Sequence, residues 1–138
     1  MAEVRALRPL VDAEVADYDG VLVLRKDVKV LQSASFRQSS VHLLPYFDVY
    51  LLAHRFKEHF LQAKFYKRVY RNQGWISPVV LIDGQIAGVW NYKLSPEKID
   101  IEIELFGRVA RNVRAQINDR AEELAELFQR VPSVSFKN

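Results

Sequence analysis

The segment of this sequence with the largest excess of positive charge lies between His54 and Asn72. That segment contains one acid, Glu58, and six cations: Arg55, Lys57, Lys64, Lys67, Arg68 and Arg71. Its net charge of +5 is larger than the +3 of the whole 138-residue chain. The steps of three, one and three residues between the last four cations predict that they share one flank of a helix spanning Phe56 to Arg71. Gly74 is expected to end that helix.

Two interpretations of this basic flank follow from the sequence. In the first, Lys64, Lys67, Arg68 and Arg71, with Arg55 further out, project from a helix whose aromatic side packs on the fold. Such a row binds nucleic-acid phosphates by releasing counterions, without reading the base sequence. In the second, the cations form an ordinary solvated face that has no ligand. Spacing alone favours the second interpretation.

The other residues capable of chemistry do not form a complete site. Metal-ligand spacing is not found among the histidines, His42, His54 and His59. Asp48 could hydrogen-bond His54, but no nucleophile stands beside them. The glycines of Asp83 to Gly88 are not followed by a helix, which a dinucleotide- or phosphate-binding loop requires. We therefore expect no catalytic residue, no bound metal and no cofactor in this chain.

Two tryptophans are candidate platforms on which nucleobases could stack. Trp75 and Trp90 both fall in strand-like stretches of the sequence. Exposed indoles at such positions stack on bases, whereas indoles in a domain this small more often pack in or beside the core. We expect packing for both.

Two arginines near the start of the last predicted helix have an unfavourable position. Arg108 and Arg111 lie where the helix dipole disfavours cations by about 0.3–1 kcal/mol each. Either a bound phosphate or an ion pair would offset this cost. We expect ion pairs, because Glu102 and Glu104 lie on the preceding predicted strand.

Local patterns predict several strands and a terminal helix. Asp19-Gly20 and Asp83-Gly84 supply the positive φ angles of tight hairpin turns between β-prone runs. The stretch from Ile99 to Phe106 alternates apolar and acidic residues, as a strand with one buried face does. Apolar residues recur every three or four positions over Gly107 to Gln129, which indicates an amphipathic helix. The predicted fold is therefore α+β, a small antiparallel curled sheet or partial barrel packed on a long C-terminal helix.

The overall composition fits one ordinary domain. The chain is 49% apolar and has no linker-like stretch, so we expect a single domain over residues 1–138. The absence of cysteine excludes disulfides and thiolate-bound metals. No leader peptide or membrane-spanning run is visible, which favours a cytoplasmic protein without membrane contact.

Three stretches of the chain together carry a family resemblance. They are LLPYFDVYLL from Leu43, YKRVY from Tyr66, and the stretch from Gly74 to Trp90, which contains GWISPVVLIDG and AGVW. In this order they resemble the C-terminal region of the bacterial winged-helix DNA-binding-domain proteins, over about Val21 to Phe128. That family includes DNA glycosylases that unhook interstrand crosslinks and excise alkylated bases.

The resemblance implies a function at DNA. Members of the family are similar to tandem winged-helix modules followed by a β-rich domain, and this chain matches the last part. The glycosylase branch has a catalytic glutamine-x-glutamine motif in its amino-terminal region, and no two glutamines stand two apart here. The implied function is therefore an accessory domain that contacts the backbone of double-stranded DNA without excising bases. The alternative is a protein-interaction domain, which would bind the missing winged-helix modules or a second copy of itself.

Overall fold

Two compact units make up the chain, Met1–Arg37 and Gln38–Asn138, in a computed structural model that describes residues 12–35 and 39–137. The single domain expected over residues 1–138 stays a prediction.

The first unit contains a hairpin and a short helix. Strand β1 (Val15–Tyr18) pairs antiparallel with β2 (Val21–Leu24), and helix α1 (Val28–Ser33) follows. The turn between the strands has φ 53° at Asp19 and φ 81° at Gly20, so the hairpin predicted from this dipeptide is confirmed. None of residues 12–35 is buried.

The second unit is built on a mixed sheet of five strands. Its elements in chain order are β3 (Val41–Leu44), α2 (Val49–Ala53), α3 (Tyr66–Val69), β4 (Val79–Ile82), β5 (Gln85–Leu94), β6 (Lys98–Leu105), α4 (Arg111–Leu127) and β7 (Val131–Lys137). The strands lie in the order β3-β4-β5-β6-β7. Neighbours are antiparallel except for β6 and β7, which are parallel. The predicted α+β class is confirmed, and the prediction of a purely antiparallel sheet is wrong.

Strand β7 is parallel to β6 because helix α4 lies between them in the chain. A helix that starts near the end of one strand returns the chain to the beginning of the next, which gives a parallel pair. The helix has 17 residues and is shorter than the predicted Gly107 to Gln129. Pro132 lies in β7, which is an edge strand, where a missing backbone donor is tolerated.

The sheet buries apolar side chains on both faces. On one face, Ile101 and Ile103 of β6 pack in a cluster that includes Ile117 and Ala121 of α4. On the other face, Val79 of β4 belongs to a second cluster, which α2, α3 and the loop between these helices complete. The isoleucines of β6 are fully buried while Asp100 and Glu102 are exposed, so the predicted alternation is confirmed. Each fully buried aliphatic side chain contributes roughly 1.5–3 kcal/mol.

The helix predicted over Phe56 to Arg71 is wrong. Within that range the structure has a 3₁₀ turn, Ala63–Phe65, followed by the single turn of α3. The backbone carbonyl of Phe60 accepts a hydrogen bond from the backbone N–H of Ile86 in β5, at 2.7 Å. In a continuous helix that carbonyl would accept from the residue four positions ahead. The aromatic and basic segment is therefore tied to the sheet by its backbone.

Candidate nucleic-acid interface

The chain reverses direction after α3, and this reversal positions the candidate residues. The carbonyl of Val69 accepts from the backbone N–H of Ser77 at 2.9 Å, and the N–H of Arg71 donates to the carbonyl of Trp75 at 2.8 Å. Between these bonds, Gln73 has φ 61° and Gly74 has φ 77°, both in the left-handed region. The reversal therefore holds Arg71 directly beside Trp75.

The predicted cations Lys67, Arg68 and Arg71 come together around one groove. Two cavities of about 380 and 500 Å³ share Lys67 and Arg71 in their walls, and Arg68 lines the smaller one. Because Tyr46 and Ser77 also line both cavities, we treat the two as one feature and call it the basic groove. The smaller cavity is lined further by strands β5 and β6, and the larger by the loop that ends at Trp75.

Lys67 and Arg71 are the free cations of the basic groove. Both are exposed. Neither side chain has a carboxylate or hydrogen-bond partner among residues 12–35 and 39–137. An exposed ammonium and guanidinium without counter-charge are available to an anionic ligand.

Arg68 differs from these two residues because it is already engaged. Its guanidinium forms an ion pair with Glu104 of β6 and lies 5.0 Å from the centre of the Phe106 ring. The two side chains of the pair are 39% and 37% exposed, so water screens the pair and its contribution is about 0–1 kcal/mol. A direct contact between Arg68 and DNA stays a prediction.

The structure connects Lys64 to Arg68 through stacked rings and leaves Arg55 apart. The Lys64 ammonium lies 4.8 Å from the Phe65 ring centre, and Phe65 stacks on Phe106 at 4.1 Å. Arg55 contacts the ring of Phe56 at 5.4 Å and lines neither cavity of the basic groove. A role in DNA contact for either cation stays a prediction.

The acids of β6 have partners other than the ones the sequence predicts. Glu102 binds the ammonium of Lys137 in β7 at 2.6 Å, and this hydrogen bond raises the pKa of Lys137. Glu104 binds Arg68. The predicted pairs with Arg108 and Arg111 are therefore wrong. They were expected from proximity in sequence, whereas the neighbouring strand β7 and helix α3 bring other cations closer.

Three aromatic side chains of the described residues line the basic groove: Tyr46, Trp75 and Trp90. The sequence analysis singled out the two tryptophans and not Tyr46. Trp75 is 52% exposed, so it packs beside the core and not in it, which the prediction allowed. Its ring centre lies 5.2 Å from Phe47 and 6.1 Å from Tyr46. Trp90 is buried, as predicted, and its indole N–H donates to the carbonyl of Leu44 at 2.9 Å. Because Trp75 directly follows the turn at Gly74, its place in a turn rather than a strand interior was a signal of exposure.

No other arrangement of reactive groups stands out in the part of the chain that the structure describes. No three histidine or carboxylate side chains there could hold a metal ion together. Ser77 is buried and its hydroxyl donates to the carbonyl of Arg68 at 3.0 Å, which fixes the loop. Within residues 12–35 and 39–137, no helix is both long and apolar enough to cross a membrane.

Two comparisons show which known proteins this chain is similar to, one with a solved structure and one with a protein-family model. The fold is similar to that of the Streptomyces sahachiroi DNA glycosylase AlkZ, with a TM-score of 0.75 and 24% sequence identity. The match covers 99% of this chain and 37% of that protein, so the chain spans little more than a third of its length. A family model described as DNA glycosylase AlkZ-like matches residues 1–127. The chain belongs to this AlkZ-like DNA glycosylase family.

The family match bears on the resemblance found in the sequence. It supports the DNA glycosylase-like part of that resemblance, while the winged-helix part stays a prediction. A search of curated proteins found no significant match.

Proposed function

We propose that this chain is a DNA-binding domain that acts in DNA repair by contacting the phosphate backbone of double-stranded DNA. The observation that supports this most is the pair Lys67 and Arg71, which line the basic groove, are exposed and have no carboxylate partner among the described residues. Membership of a DNA glycosylase family supports DNA as the polyanion that these cations meet.

The chemistry of these cations favours backbone contact over base recognition. Lys67 and Arg71 would each displace a condensed counterion from DNA, which gives affinity that is independent of sequence and falls with salt. Arg68 can exchange Glu104 for a phosphate at small cost, since the existing ion pair is half exposed. Lys64 and Arg55 would add outlying contacts.

The proposed role is accessory, without base excision by this chain. The glutamine-x-glutamine motif expected of the glycosylase branch is missing from the sequence. Incubation of the chain with alkylated duplex DNA should therefore release no base. Release above the level of a buffer blank would contradict the accessory role and leave the DNA-binding proposal standing.

Fluorescence anisotropy with a labelled duplex tests the DNA contact. The wild type should bind with an affinity that decreases steeply between a low and a moderate salt concentration. The double variant Lys67→Glu/Arg71→Glu should bind at least about tenfold more weakly, and its slope of log K against log salt should be smaller by about 1–2.

A second double variant provides the matched control. Lys98→Glu/Arg111→Glu reverses one lysine and one arginine, both exposed and neither in the walls of the basic groove. Its net charge equals that of the first variant, so a general loss of charge would weaken both alike. Equal binding by the two variants would contradict a role for the basic groove.

The alternative function, self-association, has one observation in its favour. Val49 and Leu52 of α2 are 77% and 54% exposed, and Phe56 after the helix is 58% exposed. Exposed apolar side chains close in sequence can form a protein-binding surface. Light scattering distinguishes the two functions: a stable dimer that Leu52→Glu dissociates, together with no DNA affinity, would favour self-association.

A further inference from the structure

The larger cavity of the basic groove combines an exposed aromatic ring with free cations. Trp75, Lys67 and Arg71 all line it, and Asn72 adds an amide with both donors and an acceptor. A large indole that is 52% exposed is unusual in a chain with ample core, because burying such a ring is favourable. The combination of ring and cations suits a ligand that is both flat and anionic.

The indole of Trp75 is held in place before any ligand binds. Phe47 and Tyr46 contact it from the turn after β3. The Tyr46 hydroxyl donates in turn to the side-chain oxygen of Asn91 at 3.1 Å, and the backbone bond to Arg71 fixes the other side. A ring that is already oriented loses little conformational freedom on binding, so more of the stacking energy appears as affinity.

The charges favour the larger cavity as the place for a phosphate. The two carboxylates of the groove, Glu102 and Glu104, line only the smaller cavity and are already bound to Lys137 and Arg68. No carboxylate of residues 12–35 or 39–137 lines the larger cavity. Its volume of about 500 Å³ lies within the range of about 300–1,000 Å³ that small-molecule sites occupy.

We infer that this cavity binds an unpaired nucleotide of single-stranded DNA, with the base stacked on Trp75 and the adjoining phosphate held by Lys67 and Arg71. The inference rests on the proposed function and adds a second mode of DNA binding to it. In a duplex the faces of the bases are covered by their neighbours, so the duplex offers phosphates but no ring for Trp75. An unpaired nucleotide exposes its face, and every base has one, so the site tolerates any sequence.

Tryptophan fluorescence can test the stacking directly, because the chain has two tryptophans and they differ in exposure. Trp75 is 52% exposed and Trp90 is 5% exposed. Titration with an oligothymidylate should quench the fluorescence of the wild type, and Trp90→Phe should retain that quenching. Trp75→Phe should abolish the quenching but keep most of the affinity, because its ring can still stack.

Removal of the ring should separate single-stranded from duplex binding. Trp75→Ala should bind the oligothymidylate about tenfold or more weakly than the wild type, whereas its affinity for a duplex of equal charge should change by less than about twofold. Circular dichroism should show an unchanged fold, since the ring lies at the surface.

An abasic oligonucleotide of the same length supplies the matched ligand, because it keeps the phosphates and lacks the bases. The wild type should bind it about tenfold more weakly than the oligothymidylate, and Trp75→Ala should bind both equally. Equal affinity of the wild type for the two oligonucleotides, or equal losses for single strand and duplex in Trp75→Ala, would overturn the inference.

Failure of the stacking site and failure of the proposed function give different results. Salt-dependent duplex binding without quenching at Trp75 would overturn the stacking site and leave backbone contact intact. Absence of binding to both duplex and single strand would overturn both.

Discussion

At the residue scale, the separation of β5 and β6 depends on Gly88. Gly88 pairs with Leu105 across the two strands. A Cβ at this position would lie 2.5 Å from the carbonyl oxygen of Glu104 and 3.1 Å from the Cα of Leu105. Both are backbone atoms, which cannot rotate away as a side chain does. On its other side Gly88 faces the irregular register of β4, between Val80 and Leu81.

A single methyl group at position 88 is therefore expected to disturb the sheet. Gly88→Ala should lower the free energy of unfolding by about 1–3 kcal/mol, because the strands must separate to admit the Cβ. Urea denaturation followed by circular dichroism measures this. Gly107→Ala is the control, since among the described residues no atom beyond its two chain neighbours lies within 4 Å of the added Cβ, and it should change the free energy by less than about 0.5 kcal/mol. Equal midpoints for the two variants would contradict the prediction.

The protonation of Tyr70, which precedes Arg71 of the basic groove, is coupled to the fold. Its hydroxyl donates to the carbonyl of Leu51 at 2.9 Å. Desolvation by burial, with a smaller effect from Tyr66, raises the pKa of Tyr70 from 10.0 to about 12. The ring of Tyr66 stacks on that of Tyr70 at 4.9 Å. The fold therefore favours the neutral phenol.

The sign of this shift predicts how stability depends on pH. Because the folded-state pKa lies above the unfolded value, the stabilisation is complete below about pH 10 and is lost as the pH rises to about 12. Tyr70→Phe should cost about 0.5–1.5 kcal/mol at neutral pH, and the difference from the wild type should shrink above about pH 10. Urea unfolding at a series of pH values measures it. A difference that widens above pH 10 would contradict the assignment.

At the scale of elements, α4 begins without the features that usually stabilise a helix start. Its N-cap residue, Ala110, has extended backbone angles, φ −65° and ψ 154°, and makes no side-chain capping bond. The first turn has no acid, and Arg111 places a positive charge against the helix dipole. The helix is held instead by its buried face, which includes Ile117, Ala121 and Ala125.

An added N-cap should therefore stabilise α4. Ala110→Asp supplies a carboxylate that can accept from the free N–H groups of the first turn, and it should raise the free energy of unfolding by about 0.5–2 kcal/mol. Thermal unfolding followed by calorimetry checks the change. Ala115→Asp is the matched control in the middle of the exposed helix face, where the same substitution should destabilise by up to about 0.7 kcal/mol. Stabilisation by both variants would point to a general charge effect.

The elements that could be predicted from the sequence are those specified by local chemistry. The turns at Asp19-Gly20 and Asp83-Gly84 need positive φ at both positions, and few other dipeptides supply it. The alternation in β6 and the periodicity of α4 each reflect a single buried face. Strand β7 was not predicted, because Pro132 and the polar residues beside it weaken the strand pattern, and its pairing with β6 depends on a crossover that local sequence does not encode.

The candidate site was harder to predict because tertiary contacts replace local ones there. The spacing of Lys64, Lys67 and Arg71 fits a helix, yet the carbonyl of Phe60 bonds to β5 and the backbone leaves the helical conformation at Tyr70, so only short helical turns form between them. The residue types were predicted, whereas their arrangement was not. No sequence pattern indicated that Arg68 would meet Glu104, because the two residues are far apart in the chain and only the tertiary fold brings them together.

At the scale of the whole molecule, charge that is separated along the sequence is partly mixed in space. The basic segment and the acidic strand β6 are far apart in the chain, yet Arg68 of that segment binds Glu104 of β6. The other exposed acid of the strand, Glu102, binds Lys137 of β7, which lies outside the segment. The excess cations that remain at the groove are Lys67 and Arg71. The net charge of the basic segment therefore overestimates the number of its cations that are available to DNA. The number of unpaired cations is the quantity that sets the salt dependence of binding.

The two units of the chain differ in how they are stabilised. Both hydrophobic clusters consist of residues from Val41 onward. Residues 12–35 contribute no buried side chain, and an isolated two-stranded hairpin is marginally stable in water. Among the residues that the structure describes, the apolar burial that offsets the entropy of folding is therefore concentrated in the second unit.

We accordingly expect residues 38–138 to fold when produced alone. The fragment should unfold cooperatively, with a midpoint within a few degrees of that of the full chain, because both clusters are retained. Thermal melts followed by far-ultraviolet circular dichroism and by tryptophan fluorescence should coincide, as they do for a two-state domain. Limited proteolysis of the full chain provides an independent measurement, and the first cleavages should fall within residues 12–35 rather than in the sheet. A fragment that lacks a cooperative transition, while the full chain has one, would mean that the first unit supplies stabilisation that its exposed residues do not indicate.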